Sequence, residues 1–176
     1  KRVCTPEDLI TIVGGGNIGR RLAKTLEHSY QVKLIEHNKK ACASLAADLA
    51  NTLVLNGDGT DEKLMLQENV AEVDVFCALT NDDENNIMSS LLAKRLGASK
   101  VITLIGNPAY VGLVQGVDID SAISPQQVTI GSLLTHVRRG HMTNVYRLRR
   151  GAAEALEIVA HGDASNSKVV GKTLGE

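Results

Sequence analysis

Short apolar runs rich in β-branched residues alternate along this chain with longer segments of helical polarity. Residues 9–13, 32–36, 52–55, 73–78, 101–105 and 119–123 read as strands, because apolar character is nearly continuous over four to six residues in each. Between them the pattern predicts helices over 17–28, 38–49, 61–68, 83–96 and 109–115. Each intervening segment is long enough for a crossover helix, so the rhythm is that of βαβ units feeding a parallel sheet. The expected fold class is therefore α/β, a Rossmann-like doubly wound sheet of six parallel strands in the order 3-2-1-4-5-6. That order opens a crevice between the first and fourth strands, where the loops after Val13, Glu36, Leu55 and Ala78 converge.

Beyond the sixth strand the pattern changes. Residues 125–139 predict a longer helix with Val128, Leu134 and Val137 among its apolar positions, followed by Gly140, as an arm leaving the sheet. Residues 155–159 and Val169–Val170 flank a polar loop, 161–168, and resemble the start of a small α+β unit with too few residues to close a core. The expected division is a dinucleotide-binding domain over 1–124, a crossover helix and linker over 125–150, and the opening of a second subdomain over 151–176. That second subdomain is expected to be cut short, or completed elsewhere in a longer chain.

The first strand runs directly into Gly14-Gly15-Gly16-Asn17-Ile18-Gly19, a GxGxxG pattern between a strand and a helix. In that setting Gly14 permits the tight turn, Gly16 lets a pyrophosphate approach the backbone, and Gly19 allows helix and strand to pack closely. Backbone N–H groups at the helix start face the anion. The second strand ends in Glu36, twenty residues after Gly16. A carboxylate there accepts hydrogen bonds from ribose hydroxyls and repels a 2′-phosphate, which favours NAD(H) over NADP(H). His37, Lys39 and Lys40 follow at once and keep NADP(H) open. Arg20 in the new helix is a candidate phosphate contact, whereas Arg21 reads as a solvated surface residue.

Two further loops face the same crevice. Asn56-Gly57-Asp58-Gly59-Thr60 follows the third strand, where Gly59 allows a tight turn and Asp58 offers an acceptor beside an adenine; Thr60 is also a plausible helix cap. Thr80-Asn81-Asp82-Asp83-Glu84-Asn85 follows the fourth strand. Asn81 with Glu84 three residues on reads as a capping box, and Thr80, Asn81 and Asn85 are candidates for bonds to the distal ribose or phosphates. Three adjacent carboxylates oppose a triphosphate unless a divalent cation intervenes, a second reason to prefer NAD(H) to ATP.

Composition narrows the function. A net charge of −1 on 176 residues provides no global field for nucleic acid or anionic lipid. One Phe, three Tyr and no Trp leave no base-stacking platform, so the cluster Arg138, Arg139, Arg147, Arg149 and Arg150 reads as a solvated or subunit-facing surface. Cys4, Cys42 and Cys77 match no zinc or redox spacing and read as reduced, packed thiols. No apolar run approaches a membrane span, and 1–6 has no signal-peptide character, so a soluble chain without direct membrane insertion is expected. YxxxK, GxSxG, HExxH and GxxxxGK[ST] patterns are all missing, and the five histidines are scattered.

GGGNIGRRLA, the acid Glu36, NGDGT, TNDDENNI and the arm SPQQVTIGSLLTHVRRG together resemble the RCK/KTN (TrkA-N) domain family, and within it one half of a Trk-type potassium-uptake regulatory subunit. The resemblance runs over nearly all of 3–140. It implies a cytoplasmic, non-catalytic module held at the inner membrane through a potassium-transporter partner, forming homo-oligomers through its lobes with help from the 125–139 helix. It further implies pyrophosphate binding by Gly14, Gly16, Asn17, Ile18 and Gly19, ribose binding by Glu36, an adenine side at Asp58 and Gly59, and a distal half at Thr80 and Asn81. NAD(H) is the expected ligand, with ADP or ATP as alternatives at the same site. Two competing readings stay open: an NAD-dependent oxidoreductase whose substrate domain lies elsewhere, and an interaction domain with a vestigial pocket.

Overall fold

A computed structural model describes residues 8–114, 118–137, 142–148, 153–158 and 170, with side chains over 8–114, 118–134 and 170. The N-terminal segment with Cys4, the side chains of the arginine cluster, the end of the arm at 138–139 and the polar loop 161–168 lie outside the described residues. Two compact units divide the chain, Lys1–Pro125 and Gln126–Glu176.

The first unit is a six-stranded sheet in the order β3-β2-β1-β4-β5-β6, parallel throughout. Its strands are β1 (Leu9–Val13), β2 (Gln31–Glu36), β3 (Thr52–Asn56), β4 (Val75–Ala78), β5 (Lys100–Leu104) and β6 (Ser121–Ile123). The helices are α1 (Asn17–Leu26), α2 (Lys39–Asp48), α3 (Glu62–Gln67), α4 (Asp83–Leu96) and α5 (Pro108–Val114). This is the Rossmann-like order that the apolar rhythm predicts. β4 begins later than its hydropathy suggests, because Val70–Glu72 form a 3₁₀ turn that buries Val70 and Val73 beneath the sheet before the strand starts.

Alternation of side chains along each strand splits the core into two layers. Ile10, Ile12, Val32, Leu34 and Cys77 pack with Ala23 of α1 and Leu45 of α2 on one face. Val13, Ile35, Phe76, Ala78 and Val101 pack with Met65 of α3 and Ala93 of α4 on the other. Ile105 with Val111 and Val114 of α5 forms a third cluster. Because both faces are covered, the central strands are apolar at nearly every position, and this is why the sequence lacks strict alternation there. Cys42 and Cys77 are free and buried.

Helix α6 spans Pro125–Val137 and belongs to the second unit from Gln126 on. β7 (Met142–Leu148) and β8 (Ala153–Ile158) form an antiparallel pair with an irregularity between Met142 and Asn144. No described helix is long and apolar enough to cross a membrane.

Candidate functional site

Sheet order brings the C-terminal ends of β1, β2, β3 and β4 to one edge, and a cleft of about 280 Å³ opens there. Val13 and Gly14 line it from β1, Ile35 and His37 from β2, Gly57, Asp58 and Gly59 from the loop after β3, and Thr80, Asn81, Asp82 and Asn85 from the β4–α4 loop. All four loops singled out by the strand order contribute.

The glycine turn is built as the motif requires at two positions. Gly14 has φ +101°, and a Cβ there would stand 2.9 Å from the Thr80 amide nitrogen. A Cβ on Gly19 would collide with the Gly14 carbonyl oxygen, so α1 packs against its own turn only through glycine. Gly16 differs: a Cβ there would meet nothing within 4 Å, which leaves its backbone open to a ligand. Gly16 caps α1 without any side-chain bond, while Asn38, Asp61 and Asp82 cap α2, α3 and α4 with their own oxygens. The first turn of α1 carries no acidic residue either. Its N–H groups are thus unclaimed by side chains, as an anion-binding helix start needs.

Glu36 is buried at the end of β2. Its Oε2 accepts the Gly15 N–H at 2.8 Å and its Oε1 accepts the Asn38 N–H at 2.8 Å. The carboxylate therefore stitches the glycine turn to the start of α2. Both oxygens keep lone pairs, since an ionised carboxylate has about four acceptor positions. Gly16, Asn17, Ile18, Gly19, Arg20 and Glu36 stand at the turn and behind it, outside the cleft's immediate wall. Arg20 is turned aside: its Nε donates to Asp48 Oδ2 at 2.8 Å, joining α1 to α2, and Lys24 bonds the other Asp48 oxygen at 3.0 Å. This pairing holds the Asp48 carboxyl down to about 2. A nearby carboxylate on α2 offered Arg20 a partner that sequence distance hid.

Asp58 Oδ1 accepts both the amide N–H and the hydroxyl of Thr60, each at 2.8 Å. These bonds, helped by the facing amide of Asn85, hold the Asp58 carboxyl below its ordinary range. Thr60 is consequently not the cap of α3. That position belongs to Asp61, which accepts from the Lys63 N–H. The capping box at Asn81 and Glu84 is likewise corrected by one residue: Asp82 caps α4 through the Asn85 N–H, and Glu84 accepts instead from the Tyr110 hydroxyl at 2.7 Å. In runs of Asn, Asp and Thr several side chains can cap, and the docked position of the helix selects among them.

Asn86, which the motif reading passed over, organises this wall. Fully buried, it accepts from the Thr80 N–H at 2.9 Å and the Thr80 hydroxyl at 2.7 Å. Its amide donates to the carbonyls of Thr80 and Leu104, both at 3.0 Å. The signal available in sequence was an asparagine inside a helical turn, where it weakens the helix unless its side chain is otherwise engaged. Asp83 adds a second tie, accepting the Gly106 and Asn107 N–H groups. One buried polar atom in the wall is left over: Asn85 Oδ1 has no hydrogen-bond partner. A cradle open at Gly16 and an orphaned acceptor beside Asp58 fit a nucleotide whose phosphates meet the turn and whose donors meet the far wall.

Comparison with known proteins decides the family. The TrkA-N domain model matches residues 10–125, from the second residue of β1 to the start of α6. The chain belongs to the TrkA-N domain family. It is 64% identical over 167 residues to the Trk system potassium uptake protein TrkA of Halomonas elongata, covering 95% of this chain and 36% of that one. To the protein of the same name from Vibrio alginolyticus it is 60% identical over 176 residues, covering 100% of this chain and 38% of the relative. The chain thus spans little more than a third of these relatives. Among solved structures, the TrkA-N domain of the inner membrane protein ybaL from Escherichia coli superposes with a TM-score of 0.67 at 12% identity, covering 78% of this chain and 100% of that one. The GsuK channel bound to NAD gives 0.64 at 20% identity, covering 81% and 25%. At such identities these two share the TrkA-N fold with this chain.

Proposed function

We propose that this TrkA-N domain is a regulatory NAD(H)-binding module that works without catalysis, its bound nucleotide biasing a Trk-type membrane potassium transporter. The observation that carries the reading is the uncapped glycine turn, open at Gly16, continuous through Gly14 with a polar cleft whose wall holds the unpartnered Asn85 Oδ1. The N–H groups from Gly16 to Gly19 would hold the pyrophosphate. Glu36, fixed by Gly15 and Asn38, would accept the adenosine ribose hydroxyls. Asp58 and Gly59 would flank the adenine, and Thr80, Asn81 and Asn85 the distal half. Arg20 would join the phosphates by exchanging Asp48 for the ligand. ADP or ATP would compete at the same turn.

The potassium-uptake relatives support the transporter as partner, and the resemblance supports a homo-oligomer on the cytoplasmic side of the inner membrane. Residues 151–176, with the hairpin strand β8, would open a second subdomain of that assembly. A ligand that regulates does so through its differential affinity for two states of the partner, so affinity and not turnover is the quantity to measure.

Titration calorimetry with NAD⁺, NADH, NADPH, ADP and ATP tests the reading. NADH is expected to bind, and Glu36→Ala to weaken it by at least about tenfold, the value of one charge-assisted hydrogen bond. No binding by any of the five, or an unchanged affinity in Glu36→Ala, would refute it. Steady oxidation of NADH by the longer chain with a metabolite would replace it with an oxidoreductase.

A further inference from the structure

The net charge of −1 conceals a separation of charge between the two faces of the sheet. α1 and α2 cover one face, and Arg20, Arg21, Lys24, Lys39 and Lys40 all stand exposed on them. Acids are few along this stretch. Glu27 and Glu36 are buried and held by backbone N–H groups, and Asp48 pairs with Arg20 and Lys24, whose side chains stay 52% and 56% exposed. The layer therefore presents five cations against one carboxylate, a surplus of four. On the other face lie α3, the 3₁₀ turn and the start of α4, where Asp61, Glu62, Glu72, Asp82 and Glu84 are exposed with Lys63 among them.

We propose that the α1–α2 layer is a membrane-facing surface that adsorbs electrostatically to anionic lipid headgroups, with the acidic layer turned away. The proposal does not rest on the nucleotide reading of the cleft. A protein partner binds through a few large anchors that fill pockets, and this layer is poor in them. The exposed positions of α2 after its lysines are Ala43, Ser44, Ala46 and Ala47, and Ile18, 47% exposed, is the one large apolar residue that α1 and α2 expose. The exposed apolar residues Leu66 and Met88 stand instead on α3 and α4. Charge spread over smooth small side chains suits a bilayer, whose headgroups move laterally to meet it. Each basic side chain near an anionic leaflet strengthens adsorption about fivefold, so a surplus of four gives a partition constant on the order of 10³ M⁻¹. Screening confines the attraction to about 10 Å from the leaflet, so the acidic layer across the sheet opposes it little. Such adsorption is reversible and orients the domain.

The test is co-sedimentation of this chain with phosphatidylglycerol and with phosphatidylcholine vesicles, at millimolar lipid, in about 0.05 M and about 0.5 M salt. Adsorption is expected on phosphatidylglycerol at the lower salt and on neither lipid at the higher. Combining Arg21→Ala, Lys39→Ala and Lys40→Ala is expected to leave the melting temperature unchanged and to weaken adsorption on the order of a hundredfold. Combining Glu62→Gln and Glu72→Gln alters the net charge on the far face, and is expected to change adsorption by less than about twofold. No adsorption on phosphatidylglycerol at the lower salt, or equal adsorption by the folded triple variant, overturns the proposal. So does a gain of about tenfold or more in the Glu62 and Glu72 variant, which would show a response to net charge and not to the layer. Salt-sensitive self-association removed by the same three substitutions, without vesicle binding, would give the layer to a second copy and overturn it as well.

Discussion

Replacing Asn86 by alanine tests whether the buried amide holds the cleft wall in place. Four hydrogen bonds disappear, two accepted from Thr80 and two donated to the Thr80 and Leu104 carbonyls. The Thr80 N–H and the Leu104 carbonyl lose partners at a site from which water is excluded, since Asn86 is 0% exposed. At about 1 kcal/mol for each bond, the loss is about 4 kcal/mol. For a unit of this size a kilocalorie lowers the melting temperature by about 4 °C, so the expected drop is about 15 °C by circular dichroism. Asn86→Asp separates the donor role from the acceptor role. It keeps an oxygen toward Thr80 and sets the other against two carbonyl oxygens, a placement that disfavours the charged form. Its folded-state pKa is therefore raised above the unfolded value, and its stability is highest below the unfolded pKa and falls as pH rises through the folded one. The variant is expected to melt well below wild type at neutral pH and to recover much of the difference in mild acid. A melting temperature of Asn86→Ala within about 3 °C of wild type would refute the network's energetic role, because it corresponds to less than about 1 kcal/mol. A pH-independent deficit in Asn86→Asp would refute the assignment of the amide as donor.

Three other outcomes follow from the same geometry. Gly14→Ala forces a methyl against the Thr80 amide at φ +101° and is expected to lower the melting temperature by about 4–8 °C, whereas Gly16→Ala, with open space before it, should melt within about 2 °C of wild type yet weaken NADH by at least about tenfold. Asp48 is expected to titrate at about 2 by NMR and to move back toward the ordinary carboxylate range in Arg20→Ala; being depressed on folding, it contributes stability above its unfolded pKa that is lost as the pH falls toward 2, so the acid limb of the melting profile should flatten in Asp48→Asn. The Cys77 thiol, pushed up to about 11 by burial, is expected to resist a thiol reagent at mildly alkaline pH until the protein is unfolded; rapid labelling of the native protein at Cys77 would contradict the packing of β4.

Much of the fold was legible because local chemistry and burial agree along this chain. Apolar β-branched runs are found where strands are covered on both faces, and the helical segments between them carry the polarity that their outer faces need. The glycine turn was equally plain: Gly14 and Gly19 are required by backbone conformation and close packing, constraints that act within a few residues of chain. Caps were legible as a class but missed by a residue at α3 and α4, where neighbouring Asn, Asp and Thr compete and packing selects one.

The sequence by itself determined the strand order, the place of the crevice and the residue types that surround it, because periodicity and turn chemistry are local properties. Tertiary structure decided the partners of the charged and amide groups. Arg20 pairs with Asp48 twenty-eight residues away, Glu36 ties down Gly15 and Asn38, and Asn86 joins Thr80 to Leu104 across two strand ends. Which polar group meets which depends on distances in space, and those are set only when the apolar layers on both sides of the sheet have packed.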